Sequence, residues 1–282
     1  MAPSPPQAAA GRGGWLGSLL YLPALMAAGW LLARPLAVLA PGLRPDQVDL
    51  AGTVVALLLL LASLPTWLRR QWHEPHPWVR LGVAAPLGPL ARAMLRGLLK
   101  ALLLLALVVT GLALAGQVRA GPGISIGQLA NGLALLLGVG FAEELIFRGW
   151  LWGELARWIG NGRALMAQAL VFSLVHPWPL EHGLLALLAL KGGLLLLGVA
   201  LALQRRANRG LLWGAVGLHG GLVGGWFLLQ GGMVTINTAA PVWLIGPANP
   251  IGGLLGWLGL GLLLLARRRW WSCCSTAPHE QQ

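Results

Sequence analysis

The sequence predicts an all-α fold, a polytopic bundle of about eight membrane-spanning helices. Three observations predict it. The chain is 57% hydrophobic and only 10% charged, against roughly 25% charged in an ordinary soluble domain. Its mean hydropathy is +0.72. Leu-rich runs recur from end to end, several of them longer than the roughly 18 residues that mark a span.

The elements follow in order. The opening MAPSPPQAAAGRGG, residues 1–14, is rich in Pro, Ala and Gly and is expected to be a disordered tail. The first span, about 15–33, is too long for the apolar region of a signal peptide and has no convincing cleavage site. The second, about 49–68, ends in TWLRR, and a polar connector punctuated by proline runs to about 92. The third span covers about 95–117, with Arg96 and Lys100 expected at headgroup level. After the turn RAGPGISIG the fourth covers about 126–147 and carries FAEELIFRGW at its far end. The fifth, about 164–176, stops at HPWP, because proline disfavours helix in the residue before it. The sixth covers about 183–203, the seventh about 211–230, and a loop containing TINTAAPVWLIGPANP leads to the eighth, about 251–266. Residues 15–268 are thus expected to form a single transmembrane domain, with 269–282 as a second tail.

The net charge of +12 does not indicate nucleic-acid binding. Most of the Lys and Arg flank apolar runs, where they set topology and meet anionic lipid, and no stripe of interleaved aromatic and basic residues suits a single strand. With the N-terminus inside, the cytoplasmic segments hold Arg12, Arg69, Arg70, Arg80, Arg92, Arg157, Arg163, Arg205, Arg206, Arg209 and Arg267 to Arg269. The opposite side holds only Arg34, Arg44 and Arg119, with Asp46, Asp49 and Glu181 among them. Both termini are therefore expected in the cytoplasm. Cys273 and Cys274 are adjacent and imply no disulfide framework. Their juxtamembrane place resembles a palmitoylation site, although two unmodified thiols are the plainer reading.

The chain has eight acidic residues, so those inside apolar segments stand out. A charge at mid-bilayer costs about 2.5–3.5 kcal/mol on insertion scales and usually faces the bundle interior. Glu143, Glu144, Arg148, His176 and His219 are the clearest cases, and Lys191 is a sixth. On a helix Glu144 and Arg148 share a face in the favourable order for an ion pair. Glu143 turns about 100° away from Glu144, so the two carboxylates cannot share one task. An acid in an apolar cavity has its pKa raised and can serve as a general base near neutral pH. The same glutamates also fit a plainer role, solvating a helix end near the cytoplasmic interface. A lone intramembrane His is often an interhelical hydrogen-bond partner. Two of them with a carboxylate can hold a water or a metal. His176 is expected at mid-depth, within reach of Glu143.

EELIFR (Glu143, Glu144, Arg148), FSLVH (Phe172, His176) and the later His219 together resemble the CPBP family. Its members are the type II CAAX prenyl endopeptidases, including the Ras-converting enzyme, and bacteriocin-processing or bacteriocin-immunity membrane proteins. The family pattern is E-E-x-x-x-R, F-x-x-x-H and H-x-x-x-[N/D], matched here over about 130–230. The resemblance implies an intramembrane endopeptidase of a prokaryotic inner membrane, with its active-site helices in the C-terminal half. Its substrate would be a protein or peptide, lipidated in the CAAX case, presented among membrane lipid. By the same resemblance Glu143 activates a water that His176 helps to hold. Glu144 and Arg148 support it, and His219 holds the water or stabilises the oxyanion. No cofactor is favoured; zinc on His176, His219 and Glu143 is chemically possible, and no H-E-x-x-H helix is present. One departure is Val223, where the third motif asks for Asn or Asp. Gln230, Asn237 and Asn249 are the nearby polar substitutes. Two other readings fit: a non-cutting relative that binds a membrane or peptide partner, and a transporter with a polar path lined by the buried charges.

Overall fold

A computed structural model describes residues 14–247 and 249–266. Arg12, Arg267 to Arg269, both cysteines and the expected tails lie outside the described residues, apart from Gly14. The chain divides into two compact units, one ending at Arg80 and the other beginning at Leu81.

The first unit is a helical hairpin. Helix α1 spans Gly14–Ala33 and α2 spans Pro45–Gln71. Pro45 starts α2 because its missing N–H is one the first turn leaves unpaired anyway. Arg69 and Arg70 close it where the helix dipole favours cations. The buried residues of α2, Val48, Gly52, Ala56, Leu60, Leu64 and Leu68, fall four apart. They form the kind of ridge that packs against a neighbouring helix, and α1 lies along it. Tyr21 stacks on Trp67 at 4.3 Å and shares a 2.7 Å hydrogen bond with Ser63.

In the second unit six helices surround a common core: α3 (Leu87–Leu114), α4 (Ile126–Ile159), α5 (Asn161–Val175), α6 (Leu184–Ala207), α7 (Trp213–Leu228) and α8 (Leu254–Leu265). Helix α7 packs on α3, α4 and α6, while α8 closes against α3 and α6. Phe147, Phe172, Leu194, Leu197, Leu201 and Leu218 fill the centre. Other leucines point outward, among them Leu102, Leu103, Leu185 and Leu188. That arrangement suits hydrocarbon rather than water as the surrounding medium. Among the described residues five helices, Gly14–Leu39, Pro45–Gln71, Leu87–Leu114, Ile126–Ile159 and Leu184–Ala207, are long and apolar enough to cross a membrane. The all-α membrane bundle is therefore present. Helices also occupy the places of the fifth, seventh and eighth expected spans, with 15, 16 and 12 residues.

Two details differ from expectation. The fourth helix does not end near residue 147 but continues to Ile159, where Gly160 takes a positive φ of 80°. Glu143, Glu144 and Arg148 look like an interfacial end in sequence. Inside the bundle Glu144 and Arg148 pair with each other, so the helix need not end in water there. Lys100 is buried rather than at headgroup level, and its ammonium donates to Gln204 Oε1 at 2.5 Å. Strands β1 (Val118–Ala120) and β2 (Val234–Ile236) form an antiparallel ribbon pairing Val118 with Ile236, each too short to leave a periodic signal.

Helices α4 and α7 cross at near-backbone distance. A Cβ on Gly220 would overlap the carbonyl oxygen of Leu136, and one on Gly140 would fall 2.7 Å from Gly220 Cα. Gly220→Ala is expected to destabilise the purified protein by about 1–3 kcal/mol, as overpacking does. An unchanged thermal midpoint would contradict this tight crossing.

Candidate functional site

The site is built on an unusual stretch of α4. Residues Gly140–Glu144 are α-helical, but Leu135–Val139 before them and Leu145–Leu151 after them are π-helical. Wide turns of this kind recur at functional sites because they re-aim side chains and loosen the backbone ladder. Arg205, expected only as a topology marker, reaches inward instead. It donates to the carbonyls of Gly210 and Leu81 at 3.0 and 3.1 Å and to that of Arg148 within the second π-stretch.

The adjacent glutamates do separate, as helical geometry requires. Glu144 is 0% exposed, whereas Glu143 keeps 29%. Oε1 of Glu144 accepts from Arg148 Nη1 at 2.7 Å and from His219 Nδ1 at 2.8 Å. The Arg148 guanidinium also donates to Gly198 O at 3.3 Å and lies 4.2 Å above the Phe172 ring. Phe172 touches both imidazoles, with ring centroids 4.4 Å from His176 and 5.7 Å from His219. One phenyl ring thus seats three polar side chains.

Hydrogen-bond chemistry fixes the tautomers. His176 Nδ1 lies 2.6 Å from the carbonyl oxygen of Phe172; a carbonyl only accepts, so this nitrogen carries the proton. His219 Nδ1 faces the Glu144 carboxylate and donates to it in the same way. Both Nε2 atoms then turn toward Glu143. Its Oε2 is 3.6 Å from His176 Nε2 and 3.8 Å from His219 Nε2, and it has no hydrogen-bond partner among the described residues. Helices α4, α5 and α7 therefore bring all five expected residues together.

Around Glu143, His176 and His219 lies a cavity of about 290 Å3. Its remaining walls are mostly apolar, including Leu194, Leu197, Leu222 and Leu255. Residues 125–224 match a family model described as Type II CAAX prenyl endopeptidase Rce1-like. This segment belongs to the CPBP family. The CPBP segment spans α4 to α7 and holds Glu143, Glu144, Arg148, His176 and His219. The family is one of peptidases, and it brings a peptide or protein substrate and a membrane setting. Residues 5–76, which cover α1 and α2, match a second family model, described as Domain of unknown function (DUF8676). No curated protein and no solved structure matches the chain.

Within the CPBP segment, Val223 lines the cavity one turn after His219. Of the polar substitutes, Asn249 also lines it. Asn237 instead donates to Gln117 Oε1 at 3.1 Å, and Gln230 is exposed. The donors that could take a metal are Glu143 Oε2 and the two Nε2 atoms. Their separations of 3.6 and 3.8 Å exceed the roughly 3.3 Å between ligands of a tetrahedral zinc with bonds near 2.0–2.1 Å. Among the described residues no group of three or more His, Cys, Asp or Glu is spaced to hold a metal ion. The donor set is right in kind and a few tenths of an ångström too open.

Sequence reasoning missed the task of Lys191. Its ammonium donates to the carbonyls of Ser173 and His176 at 3.1 and 2.6 Å, and Ser173 Oγ returns a 2.6 Å bond to Lys191 O. The cation closes the C-terminal end of α5, where carbonyls lack helical partners. It pins the residue that bears one of the two imidazoles. A lysine midway along an apolar helix was the available signal, but not its partner, because carbonyls leave no mark in a sequence.

Proposed function

We propose that the chain is an intramembrane endopeptidase in which Glu143 activates a water to hydrolyse a peptide bond near the membrane interface. The observation that carries this reading is the convergence of Glu143 Oε2 and two imidazole Nε2 atoms in one largely apolar cavity. A water there donates one hydrogen to Glu143 and the other to His176 Nε2. Glu143 takes the first proton as the oxygen bonds to the carbonyl carbon. It then passes that proton to the departing amide nitrogen and the C–N bond breaks; the second water proton leaves by way of His176 Nε2 for the amine, so a carboxylate and an ammonium result. Glu144, already balanced by Arg148, accepts from His219 Nδ1 and holds that ring with its Nε2 turned to the cavity.

The apolar walls suit an extended greasy or lipid-modified peptide end, and the Arg distribution supports cytoplasmic termini; the membrane itself is taken as a prokaryotic inner membrane. Zinc bound by His176, His219 and Glu143 would supply Lewis-acid chemistry at the same place. The reading adopted is activation by the glutamate alone.

The test is hydrolysis in 18O-labelled water, comparing membranes that carry the unmodified chain with membranes that carry Glu143→Gln. New peptide ends bearing 18O, present only with the unmodified chain, are expected by mass spectrometry. Identical ends in both preparations would leave a binding or immunity relative that does not cut. Loss of the α5 anchor gives a further check. Lys191→Met is expected to lower turnover on the order of ten- to a hundredfold by misplacing His176, and Lys191→Arg, which keeps donors, to restore most of it. Full activity in Lys191→Met would remove the lysine from the mechanism.

A further inference from the structure

The catalytic cavity is rich in acceptors and short of donors. Glu143 Oε2 and the Nε2 atoms of His176 and His219 all present lone pairs in the neutral tautomers assigned above. Hydrolysis of an amide needs the opposite as well, because negative charge builds on the substrate's carbonyl oxygen and must meet N–H or O–H groups. The place one turn after His219 is filled by Val223, which can neither donate nor accept.

Three residues further along α7, and seven after His219, stands Trp226. Seven residues make almost two full turns, so the indole projects from the same side of the helix as the imidazole. Trp226 lines the cavity and is only 9% exposed. Its Nε1–H is buried and has no hydrogen-bond partner among the described residues. An indole N–H can only donate, and buried donors are rarely left unpaired. The ring is wedged among Leu105 and Val108 of α3 and Leu255 of α8, so its direction is set by packing. The imidazole N–H groups in the lining are engaged elsewhere, and Asn249 is held by its Oδ1, which accepts from Ile251 N at 3.1 Å to start the turn Pro250–Gly252.

We infer that the indole N–H of Trp226 is the hydrogen-bond donor to the scissile carbonyl oxygen, the role that Val223 cannot fill. This rests on Glu143 being the water activator. Trp226 is then a catalytic residue that stabilises the tetrahedral intermediate while Glu143 moves the proton.

The experiment measures steady-state cleavage of a farnesylated CAAX peptide by the full-length chain in liposomes. Trp226→Phe, which keeps an aromatic side chain but removes the pyrrole ring with its N–H, is expected to lower kcat about a hundredfold with little change in KM. Adding Val223→Asn to that variant is expected to recover at least a tenth of the original kcat. Val223→Asn alone, which leaves Trp226 intact, is expected to raise kcat by no more than a few fold. An undiminished kcat in Trp226→Phe overturns the assignment. So does a hundredfold gain from Val223→Asn alone, a readout that does not depend on the Trp variant folding. A large loss from Asn249→Ala without one from Trp226→Phe moves the role to Asn249 and likewise overturns it. Cleavage that is equal in the unmodified chain and Glu143→Gln, or absent from both, overturns the proposed function and this assignment with it. Cleavage lost in Glu143→Gln but kept in Trp226→Phe overturns only the assignment.

Discussion

Glu143→Gln is expected to reduce hydrolysis by about a thousandfold or more while leaving the fold intact, within the range of 10²–10⁴ that general-base catalysis supplies. The amide has the size and hydrogen-bonding reach of the carboxylate but cannot accept the proton that turns water into a nucleophile. The fold should not notice. Glu143 Oε2 makes no hydrogen bond to the described residues and its side chain is partly exposed, so its structural contribution is small. The measurement pairs turnover with a melting curve on the same sample. Residual turnover above a tenth of the original, with an unchanged melt, would remove Glu143 from the chemistry.

Arg148→Met is expected to have the largest effect on stability. Both members of the Glu144–Arg148 pair are 0% exposed, and breaking a buried pair from one side costs about 3–5 kcal/mol because the remaining charge has no counterion. Here Glu144 would be left with His219 alone, and Phe172 would lose the cation 4.2 Å above its ring. At about 2–4 °C per kcal/mol for a chain of this size, the midpoint should fall by roughly 10 °C. Adding Glu144→Gln should restore most of that loss, since the orphaned charge goes with it. A double variant less stable than Arg148→Met would show that the two residues act independently. Activity should not return, because His219 then faces a neutral partner.

Much of this site was legible in the sequence for one physical reason. Charges are unfavourable in hydrocarbon, so Glu143, Glu144, Arg148, His176 and His219 are conspicuous against a leucine background, and helical spacing alone sends Glu143 and Glu144 to different neighbours. The places of the helices were legible too, since apolar runs announce themselves. What escaped depended on contacts between distant segments. Lys100 and Arg96 sit one turn apart and look alike, yet Lys100 is buried against Gln204 while Arg96 stays exposed. Arg205 reads as a cytoplasmic marker until three carbonyls are found around it. Trp226 is one of fifteen tryptophans, most of which suit an interfacial belt, and its distinction is to line the cavity with an indole nitrogen that no described residue pairs. The length of α4 was misread because a buried ion pair and a solvated helix end have the same composition.

The two wide turns in α4 bear on how variants of this helix should be chosen. Each π-stretch closes on i→i+5 bonds and so takes up about one residue more than an ordinary turn, a slip of roughly 100°. A helical wheel drawn straight through from Ile126 to Ile159 therefore loses phase twice. Positions it labels as lipid-facing beyond Leu151 point elsewhere, and a scan designed on that wheel would place polar probes in the wrong surroundings.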